Sequence, residues 1–109
     1  MKLGLSPAAA GLLRALIART GIDRDRILLS AYRSFDWQSL TFDGERHEIE
    51  LRIPGPHARA IATRLSHGLK DAEFAIPGQI VADIGIQRPL SSNQDGSITL
   101  FVEALTIAE

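Results

Sequence analysis

Residues 38–53, QSLTFDGERHEIELRI, carry the pattern from which the architecture can be read. Its second half alternates strictly, with His47, Ile49, Leu51 and Ile53 set against Arg46, Glu48, Glu50 and Arg52. A period of two puts the first group on one face of a β-strand and the second on the other. Asp43-Gly44 stands just ahead of this run, and Asp-Gly is a short-range signature of a tight hairpin because glycine accepts a positive φ. A turn at that pair makes residue 42 face 45, 40 face 47 and 38 face 49. Leu40 and Phe42 then share the apolar face of Ile49, Leu51 and Ile53. Folding the preceding segment back adds Ile27, Leu29 and Ala31 to that face. The expectation is a meander of three strands, Ile27–Arg33, Gln38–Phe42 and Glu45–Ile53, with Ser34-Phe35-Asp36-Trp37 joining the first two.

Upstream, Ser6-Pro7 reads as helix N-cap and first helical residue. The helix runs from Pro7 to Thr20, with Ala9, Leu12, Leu13, Leu16 and Ile17 on one buried face. Gly21 closes it, and Asp23-Arg24-Asp25-Arg26 is a charged connector. Downstream, Pro54-Gly55-Pro56 stops the sheet. A second helix then covers Pro56 to His67, burying Ala58, Ile61, Ala62 and Leu65. Ala72–Ile76 reads as a short edge strand before the Pro77-Gly78 turn. The last ribbon pairs Gln79–Arg88 with Ser97–Ile107 across a loop over Pro89–Gly96, which contains the second Asp-Gly pair, Asp95-Gly96. Ile80, Ala82, Ile84 and Ile86 face the core there, as do Ile98, Leu100, Val102 and Ala104. The assembled expectation is one α+β domain over residues 1–109. It is a two-layer sandwich in the order α-β-β-β-α-β-β, a mostly antiparallel sheet of about five strands with two helices on one face. In layer arrangement alone this resembles ferredoxin-like and ligand-sensing domains. No motif of those families is present, and a layer pattern carries no function.

Bulk composition narrows the function classes. The chain has 109 residues, 45% hydrophobic and 23% charged, an ordinary balance for a globular domain with a single core. With no cysteine there is no thiol chemistry, disulfide or thiolate metal site. A net charge of −1 and few aromatics argue against nucleic acid or an acidic membrane surface as partner. Lys2 followed by Leu3–Ala18 faintly resembles a leader, but Arg14, Pro7 and Gly11 interrupt the apolar run. A structural helix accounts for it better, and the cytoplasm is the default location.

Candidate chemistry is sparse. His47 should point toward the helix-covered face with Glu45 beside it, an arrangement that can tune a general base. The competing and favoured account is a hydrogen-bonded structural histidine. His57 and His67, at opposite ends of the second helix, cannot share one metal. Arg33 and Trp37 on the connecting loop could line a small-molecule pocket with His47 and Glu45. Asp83 and Glu103 would stand opposite each other if Ile84 pairs with Val102, a weak candidate pair for a hard cation. The same register sets Gly85 against Phe101. Leu28, Tyr32, Val81, Phe101 and Leu105 would then form an apolar patch on the uncovered face, an interface between copies. The leading expectation is therefore a non-enzymatic domain acting through protein association as a homodimer, without cofactor or metal. A ligand-binding or regulatory domain is second, and an enzyme using His47 as base is third.

Overall fold

The computed structural model of the chain describes residues 4–88 and 90–109. Lys2, Leu3 and Pro89, named above, lie outside them. Helix α1 (Pro7–Ala18) begins as its sequence dictates: Ser6 Oγ accepts the Ala9 amide at 3.1 Å, and Pro7 fills the first turn, where no intrahelical donor is needed. Ala9, Leu12 and Leu16 are its fully buried side chains. Helix α2 (Ala58–Ser66) buries Ala58, Ile61, Ala62 and Leu65, the stripe expected from its period. Single 3-10 turns at Arg24–Arg26 and Leu69–Asp71 follow the two helices.

Five antiparallel strands complete the domain. These are β1 (Leu28–Gln38), β2 (Asp43–Ile53), β3 (Gln79–Ile86), the short β4 (Ser91–Ser92) and β5 (Ile98–Ala108). They lie in the order β1-β2-β5-β3, with β4 also paired to β5. Both helices pack on one face. Leu12, Leu16, Ile61 and Leu65 meet Ile49, Leu51, Ile53, Leu100 and Val102 in a single buried cluster. The two-layer α+β architecture is thus as expected, although the chain runs α-β-β-α-β-β-β. Ala72–Ile76 contributes only one bridge, Ile76 to Gln79, and the fifth strand is β4.

The first ribbon differs from its sequence reading in an instructive way. The strands Ile27–Arg33 and Gln38–Phe42 do not exist separately. β1 runs unbroken through Ser34-Phe35-Asp36-Trp37, and β2 starts at Asp43. The turn is Ser39–Phe42, closed by Ser39 N–H donating to the Phe42 carbonyl at 2.9 Å, with Ser39 Oγ accepting the Phe42 amide at 3.1 Å. Phe35 and Trp37 are strand formers with no turn chemistry between them, whereas Ser39 supplies a hydroxyl-capped turn. Leu40 consequently sits at the tip, fully exposed at 104% relative accessibility, and Phe42 is exposed at 53%. Neither is core. Gly44 does not turn the chain. A β-carbon there would collide with the Thr106 carbonyl oxygen, so glycine is required for the close approach of β2 and β5. The second Asp-Gly pair does turn, with Gly96 at φ +84° and Asp95 Oδ1 accepting the Ser97 amide at 3.0 Å.

Two bulges then reverse faces. In β1 the pairing slips between Leu29 and Ala31, and in β3 it slips between Val81 and Asp83. One extra residue moves every later side chain to the opposite face. Tyr32, paired with Ile49, and Val81, paired with Thr106, therefore pack against the core instead of joining the uncovered face. Ala31 and Ile80 go the other way, Ile80 being 51% exposed. The register of the ribbon also dissolves the acidic pair, because β3 lies two residues along β5 from the expected alignment. Ile84 pairs with Ala104, Asp83 with Leu105 and Gly85 with Glu103, so Asp83 does not face Glu103 and Gly85 does not face Phe101.

Candidate functional site

β1 and the turn behind it carry most of the large hydrophobic side chains left exposed among the described residues. Among the described residues the exposed large hydrophobics are Leu28, Phe35, Leu40, Phe42 and Ile80, and all but Ile80 belong to this arm. β1 is also an edge strand, hydrogen-bonded to β2 alone among the described residues. Past its bulge, the run from Ala31 to Gln38 presents one side of its backbone unpaired. Such an edge is a template for another strand unless charge, proline, a bulge or a covering segment blunts it. β3, the opposite edge, has that protection: a bulge at Ala82 and the Ala72–Pro77 segment, which returns beside it and bridges Ile76 to Gln79. Ala31–Gln38 has no proline and only Arg33 and Asp36 as charges.

Behind this strand lies a polar cluster. His47 is completely buried, with Nδ1 2.6 Å from Ser34 Oγ and Nε2 2.8 Å from Thr106 Oγ1. Tyr32 OH donates to Ser34 Oγ at 2.6 Å. With Tyr32 donating to it, Ser34 has its own proton free for Nδ1. A neutral ring then carries its hydrogen on Nε2 and donates to Thr106. Glu45 accepts from Ser6 Oγ at 2.9 Å, which ties this end of the sheet to the cap of α1. Burial pushes the His47 pKa below its usual 6.5, with the Glu45 charge acting in the opposite sense. Both ring nitrogens are engaged by neutral hydroxyls in a site closed to solvent. This geometry fits a structural histidine and gives a general base no open approach.

The sequence-derived ligand set is divided by the sheet. Ser34 pairs with His47 and Asp36 with Glu45, so His47 and Glu45 are on the helix-covered face. Arg33 pairs with Glu48 and Trp37 with Gly44 on the other. Arg33 and Trp37 therefore cannot share a pocket with His47 and Glu45 between sheet and helices. Ser34 and Thr106, the real partners of His47, were hidden because the turn at Asp43-Gly44 would have placed Ser34 in a loop. Their only sequence signal was a small polar residue directly across from a buried histidine.

The uncovered face keeps Leu28, Phe101 and Leu105 of the expected apolar patch, but in different company. Arg88 lies over the Phe101 ring at 4.2 Å, and Leu105 is 9% exposed within the single chain. Arg46 binds Glu103 at 3.3 Å and Arg33 approaches Glu48 at 3.7 Å. The centre of this face is thus laced with ion pairs, and its bare apolar groups lie toward the two edges, Leu28 and Phe35 on β1 and Ile80 on β3. Surface clefts lie elsewhere than His47. One, about 670 Å³, is the open groove between β3 and Ala72–Pro77. A smaller one of about 180 Å³ lies among Arg33, Glu48, Glu50, Arg88 and Phe101. Among the described residues no group of three or more His, Asp or Glu side chains could hold a metal ion, and no helix is long and apolar enough to cross a membrane. No protein-family model matches the chain, and neither a curated protein nor a solved structure matches it.

Proposed function

We propose that the protein acts by association, pairing the free β1 edges of two copies antiparallel into one continuous sheet. The observation that carries this reading is that, among the described residues, four of the five exposed large hydrophobics lie on β1 and its turn, along an edge that past its bulge has neither proline nor a covering segment. Self-pairing also satisfies charge. A two-fold centred on Ser34 sets Arg33 opposite Phe35 of the partner subunit, Tyr32 opposite Asp36 of the partner subunit and Ala31 opposite Trp37 of the partner subunit. Centring on Arg33 or on Asp36 would oppose like charges, which is unfavourable in a ladder. Arg33 already lies 4.9 Å from the Phe35 ring within one chain, so the same contact repeated across the axis is chemically apt. The tip residues Leu40 and Phe42 would reach the Leu28 end of the partner strand, bringing the exposed groups together. Main-chain hydrogen bonds supply the affinity in strand addition, and the flanking side chains set register.

Sedimentation velocity at micromolar concentration tests this. The wild-type chain should sediment as a dimer, and Phe35→Lys, which places a charge on the edge, should sediment as a folded monomer. A wild-type monomer at these concentrations, or a lysine variant that dimerises equally well, would remove β1 as the contact.

A further inference from the structure

His47 lies directly behind the middle of the proposed contact strand, hydrogen-bonded to Ser34 at its centre. The hydrogen-bond chain Tyr32–Ser34–His47–Thr106 is built for a neutral ring. A second ring proton would make both nitrogens donors. Ser34 Oγ would then face two donors, Tyr32 OH and Nδ1–H, and its own proton would lose its acceptor. The groups around His47 offer the charged ring a different partner. β2 contributes Glu45, and β1 contributes Asp36 directly across from Glu45, with Tyr32 one step further along the chain. β5 contributes Thr106 and Ala104, and β3 contributes Val81 opposite Thr106, none of them titratable. At the start of α1 the N-cap Ser6 hydroxyl donates to Glu45, and among the described residues it is the hydrogen-bonding group from that end of the helix. Two carboxylates thus stand opposite each other beside a histidine that, when neutral, is held by hydroxyls. The neutral ring belongs to the hydroxyls and the charged ring to the carboxylates.

We propose that His47 makes the association edge acid-sensitive: on protonation the ring leaves Ser34 for Glu45 and Asp36, and the Ala31–Gln38 run of β1 loses the alignment that pairs it with a second copy. This deepens the association reading and rests on it. The lowered pKa of the buried ring places the transition on the acid side of its usual value.

The test compares dimer dissociation constants at pH 7.5 and 5.5 by sedimentation for wild type, His47→Gln and Ser34→Ala. The amides of Ala31–Gln38 and the His47 ring are followed in parallel by NMR. Each copy contributes one His47, and each linked proton can change the association constant by at most about ten-fold per pH unit, the two together by about a hundred-fold. Wild type should weaken by about ten-fold or more over the interval, and His47→Gln by less than about two-fold. Ser34→Ala removes the donor that favours the neutral ring, so its transition should move to higher pH. It also keeps the test available if the glutamine variant does not fold. Equal weakening of wild type and His47→Gln would overturn the switch, as would a His47 ring that titrates without moving the amides of Ala31–Gln38. A chain that is monomeric at every pH would sink the association reading, while the ring and amide titration would still decide whether His47 governs this strand.

Discussion

Gly44→Ala is the substitution whose sign separates the two readings of the Asp43-Gly44 pair. In an ordinary strand position with room for a methyl group, replacing glycine by alanine stabilises by about 0.4–1 kcal/mol through the unfolded state. The structure leaves no such room. The new β-carbon would run into the Thr106 carbonyl oxygen and lie 3.3 Å from Ile107 Cα, and both are backbone atoms of β5 that cannot rotate away. Relief requires β2 and β5 to part at this end, opening the Gly44–Ile107 and Glu45–Thr106 pairs. Two ladder hydrogen bonds at about 0.5–1.5 kcal/mol each, with the buried His47–Thr106 contact disturbed beside them, give a loss of about 2–4 kcal/mol. Urea unfolding followed by far-UV circular dichroism measures this, with Gly85→Ala as a control, because a β-carbon at Gly85 meets no atom within 4 Å. The His47 and Thr106 resonances should also move in Gly44→Ala. A neutral or stabilising effect would refute the close approach and with it the register of β2 against β5.

Other consequences are as specific. Leu16→Ala empties a fully buried position between α1 and the sheet and should cost about 2–5 kcal/mol in denaturant unfolding; a loss well under 1 kcal/mol would mean that α1 is not packed there. Leu40→Ser, at the exposed tip, should change stability by less than about 0.5 kcal/mol, whereas a core position would show several times that. The folded-state pKa of His47 is lowered below 6.5, so the unfolded chain takes up the proton first. Its contribution is fully present above about pH 6.5 and is lost as pH falls toward the folded value. The slope cannot exceed about 1.4 kcal/mol per pH unit for this one proton, and it should vanish in His47→Gln. Asp95, held low chiefly by hydrogen bonds from Ser97, closes the β4–β5 turn. Asp95→Ala should speed hydrogen exchange at the Ser97 amide while leaving the β2–β5 ladder protected.

The features legible in the chain alone follow from local periodicity and local chemistry. The stripes of α1 and α2, the Ser6 cap, the inward face of β2 and β5, and the Asp95-Gly96 turn each depend on residues a few positions apart. All are legible without knowing what lies across the sheet. His47 was correctly aimed at the helices for the same reason. Tertiary structure decided everything that depended on pairing. Asp43-Gly44 has the composition of a turn, yet strand-forming Phe35 and Trp37 carry β1 through to Ser39, and the glycine serves β5 instead. The bulges beyond Leu29 and Val81 insert one residue without any glycine or proline to mark them, and each reverses a face. Tyr32 and Val81 went inward by that step, and Ile80 went outward. The carboxylate pair at Asp83 and Glu103 failed because Ile84 pairs with Ala104, two residues along β5 from Val102. Ser34 and Thr106 could become partners of His47 only once β1, β2 and β5 were set side by side. Alternation tells which residues share a face, but a single inserted residue, paired or not by a strand far away in sequence, decides which face that is.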